Sequence, residues 1–206
     1  QVVANLKRYY PFADITTHTT GYVSRINQND VKKLEAEGKI DNYEGSTEIG
    51  KLGIEKYYED YLHGVTGSSK VEVNSHGQVV RTLNFDPPEP GKDITLTLDI
   101  RLQYYAQEIF GKMKGAVVAI EPSTGEILAM YSNPSYDPNP FVRGIRGGEY
   151  QRLLNNPGHP LINRATQGGY APASTVKPLM CLMGLNEGLI KPSGSFCGAP
   201  YFKLPG

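Results

Sequence analysis

The sequence predicts an α+β protein of two modules, and three observations lead to that prediction. Apolar residues alternate with polar ones in several short segments, which is typical of strands. Elsewhere apolar residues recur every three or four positions, which is typical of helices. Residues 86–91 contain three prolines and a glycine and are unsuited to continuous regular structure. We therefore place one module at 1–88 and a second at 89–206.

The first module begins with a predicted strand and turn at 20–27. A helix is predicted through 31–37, because Asn29 or Asp30 can cap its amino end and Gly38 follows its carboxyl end. This helix has few apolar positions, so we expect it to lie on the surface.

A second helix is predicted at 53–62, where isoleucine, leucine and three tyrosines recur at helical spacing. We expect the tyrosines to pack with their hydroxyls at the rim rather than to stack on a ligand. Glu55 is expected to be structural and paired with a buried arginine. Two strand-like segments, 71–74 and 78–81, flank a short polar turn and predict a hairpin.

In the second module, alternating apolar residues predict a strand at 94–98. Asp99 can then cap a helix through 100–109. Two more strand candidates, 115–121 and 126–131, surround a Pro-Ser-Thr-Gly turn. This mixed order of strands and helices is the basis of the α+β assignment.

Residues 133–170 show few apolar periodicities, so we predict a long loop there. Long loops near a reactive residue often shape a substrate cleft. Four side chains in the loop could face a substrate, namely Phe141, Arg143, Arg146 and His159. Packing or exposure to solvent is the better explanation for each of them, so none is assigned to the site.

The strongest candidate for chemistry is Ser174, which lies three residues ahead of Lys177. On a helix these two positions share a face, so the lysine amine can reach the serine hydroxyl and take its proton. Pro178 has no backbone N–H and is followed by an apolar run, so the helix must begin close to Ser174. The spacing therefore predicts a serine nucleophile and a lysine general base at a helix start.

Lys177 can act as a base only if its pKa is lowered. A free lysine titrates near ~10.4, whereas a general base needs a pKa of roughly 7 to 8, a difference of about 4 kcal/mol. The helix dipole contributes about 1 kcal/mol, so burial and neighbouring cations must supply the rest. The alternative is structural: Ser174 caps a buried helix and Lys177 extends its amine to solvent.

The residues around this pair resemble a known family. Ser-x-x-Lys is the first motif of penicillin-binding proteins and serine β-lactamases, in which the serine is acylated. Residues 163–168 and Tyr170, ahead of the pair, look like the class B D,D-transpeptidases of cell elongation, the penicillin-binding protein 2 group. Six further segments resemble that group in the same order, namely 8–11, 21–24, 49–60, 62–64, 96–99 and 134–139.

The chain departs from the family pattern at two points. Ala173 stands where the family usually has glycine, so we expect this position not to need a positive φ. Ser-x-Asn and Lys-Thr-Gly, which lie downstream of the nucleophile in the family, occur nowhere in the 206 residues. We therefore read the chain as the N-terminal portion of a longer enzyme, and we expect this portion alone to be inactive.

The resemblance implies a non-catalytic pedestal or dimerisation-type module at 1–88. It implies that residues 89–206 are the incomplete start of a penicillin-recognising, serine β-lactamase-like transpeptidase domain. In that domain Ser174 would attack the D-Ala-D-Ala end of a peptidoglycan stem peptide, with Lys177 as general base, to crosslink the cell wall. β-Lactam antibiotics would acylate the same serine.

The resemblance also implies a location and partners. The location is the periplasmic face of the bacterial inner membrane, where an N-terminal anchor outside this chain would hold the protein. The expected partners are the membrane glycosyltransferase of the elongation complex and a rod-shape scaffold protein.

Composition excludes several other classes of function. The chain has 21 basic and 21 acidic residues and a net charge of zero, so nucleic acid is not expected as a partner. The spacing of histidines and cysteines predicts no metal site, and no cofactor is expected. Cys181 lies among apolar residues and is expected to be a buried thiol, and no disulfide to Cys197 is inferred.

Two other functions remain open. A serine D,D-carboxypeptidase or β-lactamase would use the same nucleophile, but the long first module and its motif order argue against it. Alternatively, this portion serves as a non-catalytic docking module for partners of the elongation machinery. Finding the two missing motifs elsewhere in the protein would separate an enzyme from a scaffold.

Overall fold

The computed structural model describes residues 7–194. Its α-helices are α1 (Thr17–Thr20), α2 (Gln28–Ala36), α3 (Gly53–Tyr57), α4 (Glu59–Leu62), α5 (Ile100–Phe110), α6 (Asn139–Val142), α7 (Gly147–Leu154), α8 (Arg164–Gln167) and α9 (Lys177–Asn186). Short 3-10 helices cover Ala13–Ile15, Ile40–Tyr43 and Ala173–Val176. The strands are β1 (Val23–Arg25), β2 (Glu48–Gly50), β3 (Ser68–Val73), β4 (Val79–Asp86), β5 (Gly115–Ile120) and β6 (Ile127–Asn133).

The strands pair in three antiparallel two-stranded sheets: β1 with β2, β3 with β4, and β5 with β6. The chain divides after Gly168 into two compact units. The first contains all of these strands and helices α1 to α8, and the second contains α9 with the 3-10 helix that precedes it. The mixture of helices and antiparallel strands confirms the α+β class, whereas the module boundary at residue 88 stays a prediction.

α2 begins one turn earlier than predicted, and Asn27 is its cap. The Asn27 side chain accepts the N–H groups of Asn29 and Asp30 at 2.9 and 3.0 Å. The Asp30 carboxylate accepts the Asn27 N–H in return, at 2.7 Å. Asp30 is therefore the reciprocal partner in a capping box, and the assignment of the cap to Asn29 or Asp30 was wrong. Gly38 follows the helix as predicted, at φ +67°.

The helix predicted at 53–62 is broken at Tyr58 into α3 and α4. Directly after the break, the Glu59 carboxylate accepts the Tyr43 hydroxyl at 3.0 Å and the Gly50 N–H at 2.8 Å. These bonds tie α4 to β2, a contact that local spacing does not reveal. The prediction that the tyrosines of this segment pack is also wrong, since all three are exposed.

β3 and β4 form the predicted hairpin, but both strands are longer than predicted, and every residue in them is exposed. β4 continues to Asp86, at the start of the predicted connector. Glu89 then pairs with Val65 through two backbone hydrogen bonds of 2.9 Å. Part of the connector is therefore ordered, because Glu89 retains the backbone N–H that its proline neighbours lack.

α5, β5 and β6 confirm three predicted elements of the second module. The Asp99 side chain caps α5 by accepting a backbone N–H of its first turn at 2.9 Å. The strand predicted at 94–98 is not formed. There the Thr97 hydroxyl, not a backbone N–H, donates to the Ile127 carbonyl at 2.7 Å. The first backbone N–H in this region to donate to β6 is that of Asp99, which donates to the Leu128 carbonyl at 2.8 Å. Residues 94–98 therefore form no ladder of backbone hydrogen bonds with β6.

Gln103, on α5, is completely buried and joins three segments. Its amide donates to the carbonyls of Ile15 and Met130 at 3.0 and 3.2 Å, and its carbonyl accepts the Met130 N–H at 2.8 Å. One side chain thus ties α5 and β6 to the N-terminal 3-10 helix. All of its partners matter, because a buried polar group left without one costs about 1–3 kcal/mol.

Asn139, at the start of α6, ties the N-terminal segment to the region after β6. Its side chain accepts the Tyr10 N–H at 2.9 Å and donates to the Tyr10 carbonyl at 3.0 Å. Tyr10 itself belongs to a buried cluster with Val23 and Val142. We call the contacts of residues 10–24 with residues 99–142 the joint. Through it, residues from both predicted modules share one folded unit.

Residues 133–170 contain α6, α7 and α8, so the prediction of an irregular loop is wrong. α6 and α8 have only four residues each, too few for an apolar period to show in the sequence. Phe141 on α6 is only 5% exposed, and its ring lies 4.4 Å from that of Tyr22. Within this segment, α6 therefore packs on β1 and Tyr22, and α8 packs on β5 and β6.

Candidate active site

Ser174 and Lys177 lie where a helix begins, as the sequence predicts. A 3-10 turn covers Ala173–Val176, and α9 starts at Lys177. The Ser174 carbonyl accepts the Lys177 N–H, three residues on. Pro178, in the first turn of α9, has no N–H to offer that carbonyl, so the tighter bond replaces the missing α-helical one.

Ala173 has a φ of +46°, so the prediction that this position does not need a positive φ is wrong. A residue with a β-carbon loses roughly 1–2 kcal/mol in this left-handed region. The turn around it is held by the Pro172 carbonyl, which accepts the Thr175 N–H at 3.1 Å and also the Thr175 hydroxyl. The family's usual glycine would adopt the same backbone without strain.

The side chains of Ser174 and Lys177 are both exposed. Four apolar side chains of α9 are also 60–64% exposed, namely Leu179, Met180, Leu182 and Met183. Burial is the main means by which a protein lowers the pKa of a lysine. Residues 169–194 thus place Ser174 and Lys177 at a helix start with the predicted spacing, but without the desolvation that a lysine base would require.

Cys181 is exposed on α9, so the prediction of a buried thiol is wrong. That prediction rested on the apolar neighbours of Cys181, and those neighbours are exposed as well. Cys197 lies outside the described residues.

The four loop residues considered as substrate contacts divide into two kinds. Phe141 is buried in the packing described above. Arg143, Arg146 and His159 are exposed, and His159 has a φ of +47°. These outcomes match the expectation of packing or solvent exposure for each.

A charged network on the first module was only partly foreseen. Arg8 Nε lies 3.0 Å from Glu55 Oε1, which also accepts the Tyr10 hydroxyl at 3.1 Å. The Tyr10 oxygen accepts the Val23 N–H at 2.8 Å. Burial raises the pKa of Glu55, and the charge of Arg8 offsets part of that rise. Glu55 is paired with an arginine as expected, but Arg8 is exposed rather than buried.

His18 is a titratable residue that no sequence pattern indicated. Its ring packs edge-on against Tyr136 with 5.5 Å between centroids, and its Nε2 is buried without a hydrogen-bond partner among the described residues. Burial lowers the pKa of His18 to about 4, and the charge of Arg164 contributes in the same direction. Such a residue is a source of acid sensitivity, because unfolding exposes a stronger base.

Residues 7–194 contain neither a candidate metal site nor a candidate membrane span. No group of three or more His, Cys, Asp and Glu side chains could hold a metal ion there. None of the helices in that range is both long and apolar enough to cross a membrane.

Comparison with known families accounts for most of the chain. The sequence model of the penicillin-binding protein dimerisation domain matches residues 1–96. That of the penicillin-binding protein transpeptidase domain matches residues 115–202, a range that includes Ser174 and Lys177. The chain belongs to the penicillin-binding protein family and consists of a dimerisation domain followed by the start of a transpeptidase domain.

Within that family, the chain is similar to penicillin-binding protein 2, also called MrdA. It is 50% identical over 200 residues to the peptidoglycan D,D-transpeptidase MrdA of Escherichia coli K12, covering 97% of this chain and 32% of that protein. It is 43% identical to MrdA of Acinetobacter baumannii, covering 100% of this chain and 30% of that protein. The chain thus spans about a third of the length of these relatives.

Solved structures give the same result. Pseudomonas aeruginosa PBP2 in complex with WCK 5153 has a TM-score of 0.83 and 41% identity, covering 100% of this chain and 41% of that one. Helicobacter pylori PBP2 in complex with MreC has a TM-score of 0.86 and 33% identity, covering 97% of this chain and 36% of that one. The resemblance to the penicillin-binding protein 2 group is therefore confirmed.

Proposed function

We propose that the whole protein is a peptidoglycan D,D-transpeptidase of cell-wall elongation, with Ser174 as nucleophile and Lys177 as general base. The observation that carries the proposal is the place of Ser174. It lies three residues ahead of Lys177, at a helix start, inside the range that the transpeptidase domain matches. The 50% identity to the Escherichia coli D,D-transpeptidase supports the same activity.

In the proposed reaction, neutral Lys177 takes the proton of the Ser174 hydroxyl while Ser174 Oγ attacks the carbonyl carbon of the penultimate D-alanine. The bond from that carbon to the nitrogen of the terminal D-alanine breaks, and Lys177 passes the proton to the departing nitrogen. An amine of a second stem peptide then attacks the acyl-enzyme and gives up a proton that restores the serine hydroxyl. In each half-reaction one bond to the acyl carbon forms and another breaks, without a change of oxidation state, so the chemistry requires no redox cofactor.

The activity requires more groups than the pair itself. The Ser174 N–H is proposed as one oxyanion donor, and such a donor is worth about 3–4 kcal/mol. The exposure of Lys177 and of the apolar side chains on α9 supports a need for further residues that cover them. The family motifs Ser-x-Asn and Lys-Thr-Gly are proposed to supply that cover and the remaining polar contacts.

Location and partners follow from the proposed substrate and from similar structures. Because peptidoglycan is crosslinked outside the inner membrane, we place the whole protein at the periplasmic face of that membrane, with an anchor outside this chain. A rod-shape scaffold protein is proposed as a partner because Helicobacter pylori PBP2 was solved with MreC. An elongation-complex glycosyltransferase is proposed from the family resemblance alone.

A docking role for the first module is a second candidate function. It is favoured by the dimerisation-domain match over residues 1–96 and by the β3–β4 hairpin, whose residues are all exposed. The two roles are separable, since Ser174→Ala should leave partner binding unchanged in a pull-down with the whole protein. Loss of partner binding in that variant would contradict an independent docking surface.

Acylation by penicillin tests the catalytic proposal. The whole protein incubated with benzylpenicillin should gain one drug mass on the peptide that contains Ser174, as measured by mass spectrometry of the digest. Ser174→Ala should lose the adduct, while Ser123→Ala, in the exposed β5–β6 turn, should keep it. Labelling that persists in S174A would refute the assignment of the nucleophile. The 206-residue chain alone should label poorly, because its Lys177 is exposed.

A further inference from the structure

A cavity of about 610 Å³ lies in the first unit between the N-terminal segment and the loop that joins α6 to α7. Its lining includes Tyr9, Tyr10 and residues 143–146. A volume of 300–1,000 Å³ with a few converging polar groups is typical of a small-molecule site. Ser174 and Lys177 are not among its lining residues, and the mechanism proposed above does not use the cavity.

Four charged side chains line this cavity, and they carry both signs. Arg143 and Arg146 are the cations, and Asp137 and Glu149 are the anions. None of the four forms an ion pair among the described residues, although other surface carboxylates and amines of the chain do. Opposite charges therefore line one cavity without forming ion pairs with each other, so their hydrogen-bonding groups are available to a ligand.

The walls of the cavity are held in place by hydrogen bonds. Asn139 fixes Tyr10 by the two backbone bonds described above, and its N–H and side-chain amide also donate to Asp137 Oδ1 at 2.9 and 2.7 Å. Asp137 Oδ2 has no hydrogen-bond partner among residues 7–194, so it is oriented and able to accept. In the loop that joins α6 to α7, Gly144 has a φ of +83°, and its N–H donates to the carbonyl of the buried Phe141 at 3.2 Å.

We propose that this cavity binds a zwitterionic amino-acid group, in which an ammonium and a carboxylate share one carbon. Arginine guanidinium groups present paired N–H donors that match a carboxylate. The carboxylates of Asp137 and Glu149 accept from an ammonium and disfavour a ligand that carries negative charge alone. The exposed ring of Tyr9 offers apolar surface for a small side chain. The ligand is a free α-amino acid, because the end of a peptide carries only one of the two charges on its terminal carbon.

Ligand-observed saturation-transfer NMR with alanine tests the proposal. Alanine, N-acetylalanine and alanine amide are titrated into the protein at pH 7, in a buffer without carboxylates or primary amines. Alanine should bind at least about tenfold more tightly than either blocked compound, because each loses one set of charge-assisted hydrogen bonds. Equal binding of N-acetylalanine would overturn the zwitterion assignment, and no binding of alanine would overturn the site.

Two variants, one with two arginines replaced and one with Glu149 replaced, separate the two halves of the site. Arg143→Gln combined with Arg146→Gln should weaken alanine binding about tenfold or more, whereas Arg152→Gln, an exposed arginine of α7 that does not line the cavity, should not. Glu149→Gln should weaken alanine binding and strengthen N-acetylalanine binding. Unchanged alanine affinity in the double arginine variant would refute the site. Ser174→Ala should bind alanine normally, so this result does not depend on the proposed function.

Discussion

The joint and the turn that carries Ser174 are built in opposite ways. In the joint, one side chain bonds backbone groups far away in sequence, as Gln103 does with Ile15 across 88 positions. In the turn, the hydrogen bonds connect residues three apart, such as Thr175 with Pro172. The candidate pair is therefore placed by local chain geometry, and the joint by long-range contacts. Substitutions should have large effects on global unfolding at the joint and small, local effects at the turn.

The largest effect is expected at Gln103. Gln103→Leu removes three hydrogen bonds to the backbone of Ile15 and Met130. The Met130 carbonyl keeps its bond from the Thr19 hydroxyl at 3.3 Å, but the other two groups lose the bond that Gln103 provides, so the free energy of unfolding should fall by roughly 4 kcal/mol. Urea denaturation followed by circular dichroism measures it. Gln151→Leu, at an exposed position of α7, should change the value by less than about 0.5 kcal/mol. Similar losses in both variants would show that the joint is not a special point of stability.

The next effect is a dependence on pH. Burial lowers the pKa of His18 from its ordinary value of 6.5 to about 4. Between these two pH values, His18 binds a proton in the unfolded chain but not in the folded chain. Stability should therefore fall between pH 6.5 and pH 4, by at most about 3 kcal/mol, and level off below. Glu55 acts in the other direction, because a carboxyl group with a raised pKa gains stability on acidification.

Urea unfolding at pH 7.0 and pH 4.5 measures this acid sensitivity. His18→Gln should reduce the difference in the free energy of unfolding between pH 7.0 and pH 4.5. His76→Gln, at the exposed tip of the β3–β4 hairpin, should leave that difference unchanged. An identical difference in H18Q and in the unsubstituted protein would show that His18 is not the group responsible.

A moderate effect is expected at Asn139. Asn139→Ala removes both bonds to the Tyr10 backbone, so the free energy of unfolding should fall by about 2 kcal/mol. Asn155→Ala provides the comparison, because Asn155 is exposed and its side chain bonds only Gln151 at 3.4 Å. Thermal denaturation of both variants distinguishes them, and a lower melting temperature for the Asn155 variant would contradict the role given to Asn139.

The same contrast explains what the sequence could and could not predict. Asp99 as a cap and Pro178 as a marker of a helix start depend on neighbouring residues, and both were predicted correctly. The break at Tyr58 depends on Glu59 meeting β2, and the joint depends on partners about ninety or more positions away. Such contacts leave no periodic pattern in the sequence.

The features of the candidate site also divide into local ones, which the sequence predicted, and ones that depend on the surroundings, which it did not. The spacing of Ser174 and Lys177 is local, so it was visible in the sequence. The exposure of both side chains is a property of what surrounds them, and apolar neighbours such as Leu182 suggested burial instead. The conformation of Ala173 was also missed, because alanine gives no signal of a positive φ, whereas the glycine usual in the family would have given one.

The smallest effect is expected at Ala173, where glycine should relieve strain. At φ +46° the methyl group is unfavourable, so Ala173→Gly should stabilise the turn by roughly 0.5–1 kcal/mol, after the greater freedom of glycine in the unfolded chain is subtracted. Because the turn is local, slower amide hydrogen exchange in residues 173–178 should report the gain, with little change in global unfolding. Ala36→Gly, at the end of α2, should have the opposite effect and destabilise its own helix locally, since glycine weakens a helix. Faster exchange in the turn of A173G would show that contacts of the methyl group outweigh its backbone strain.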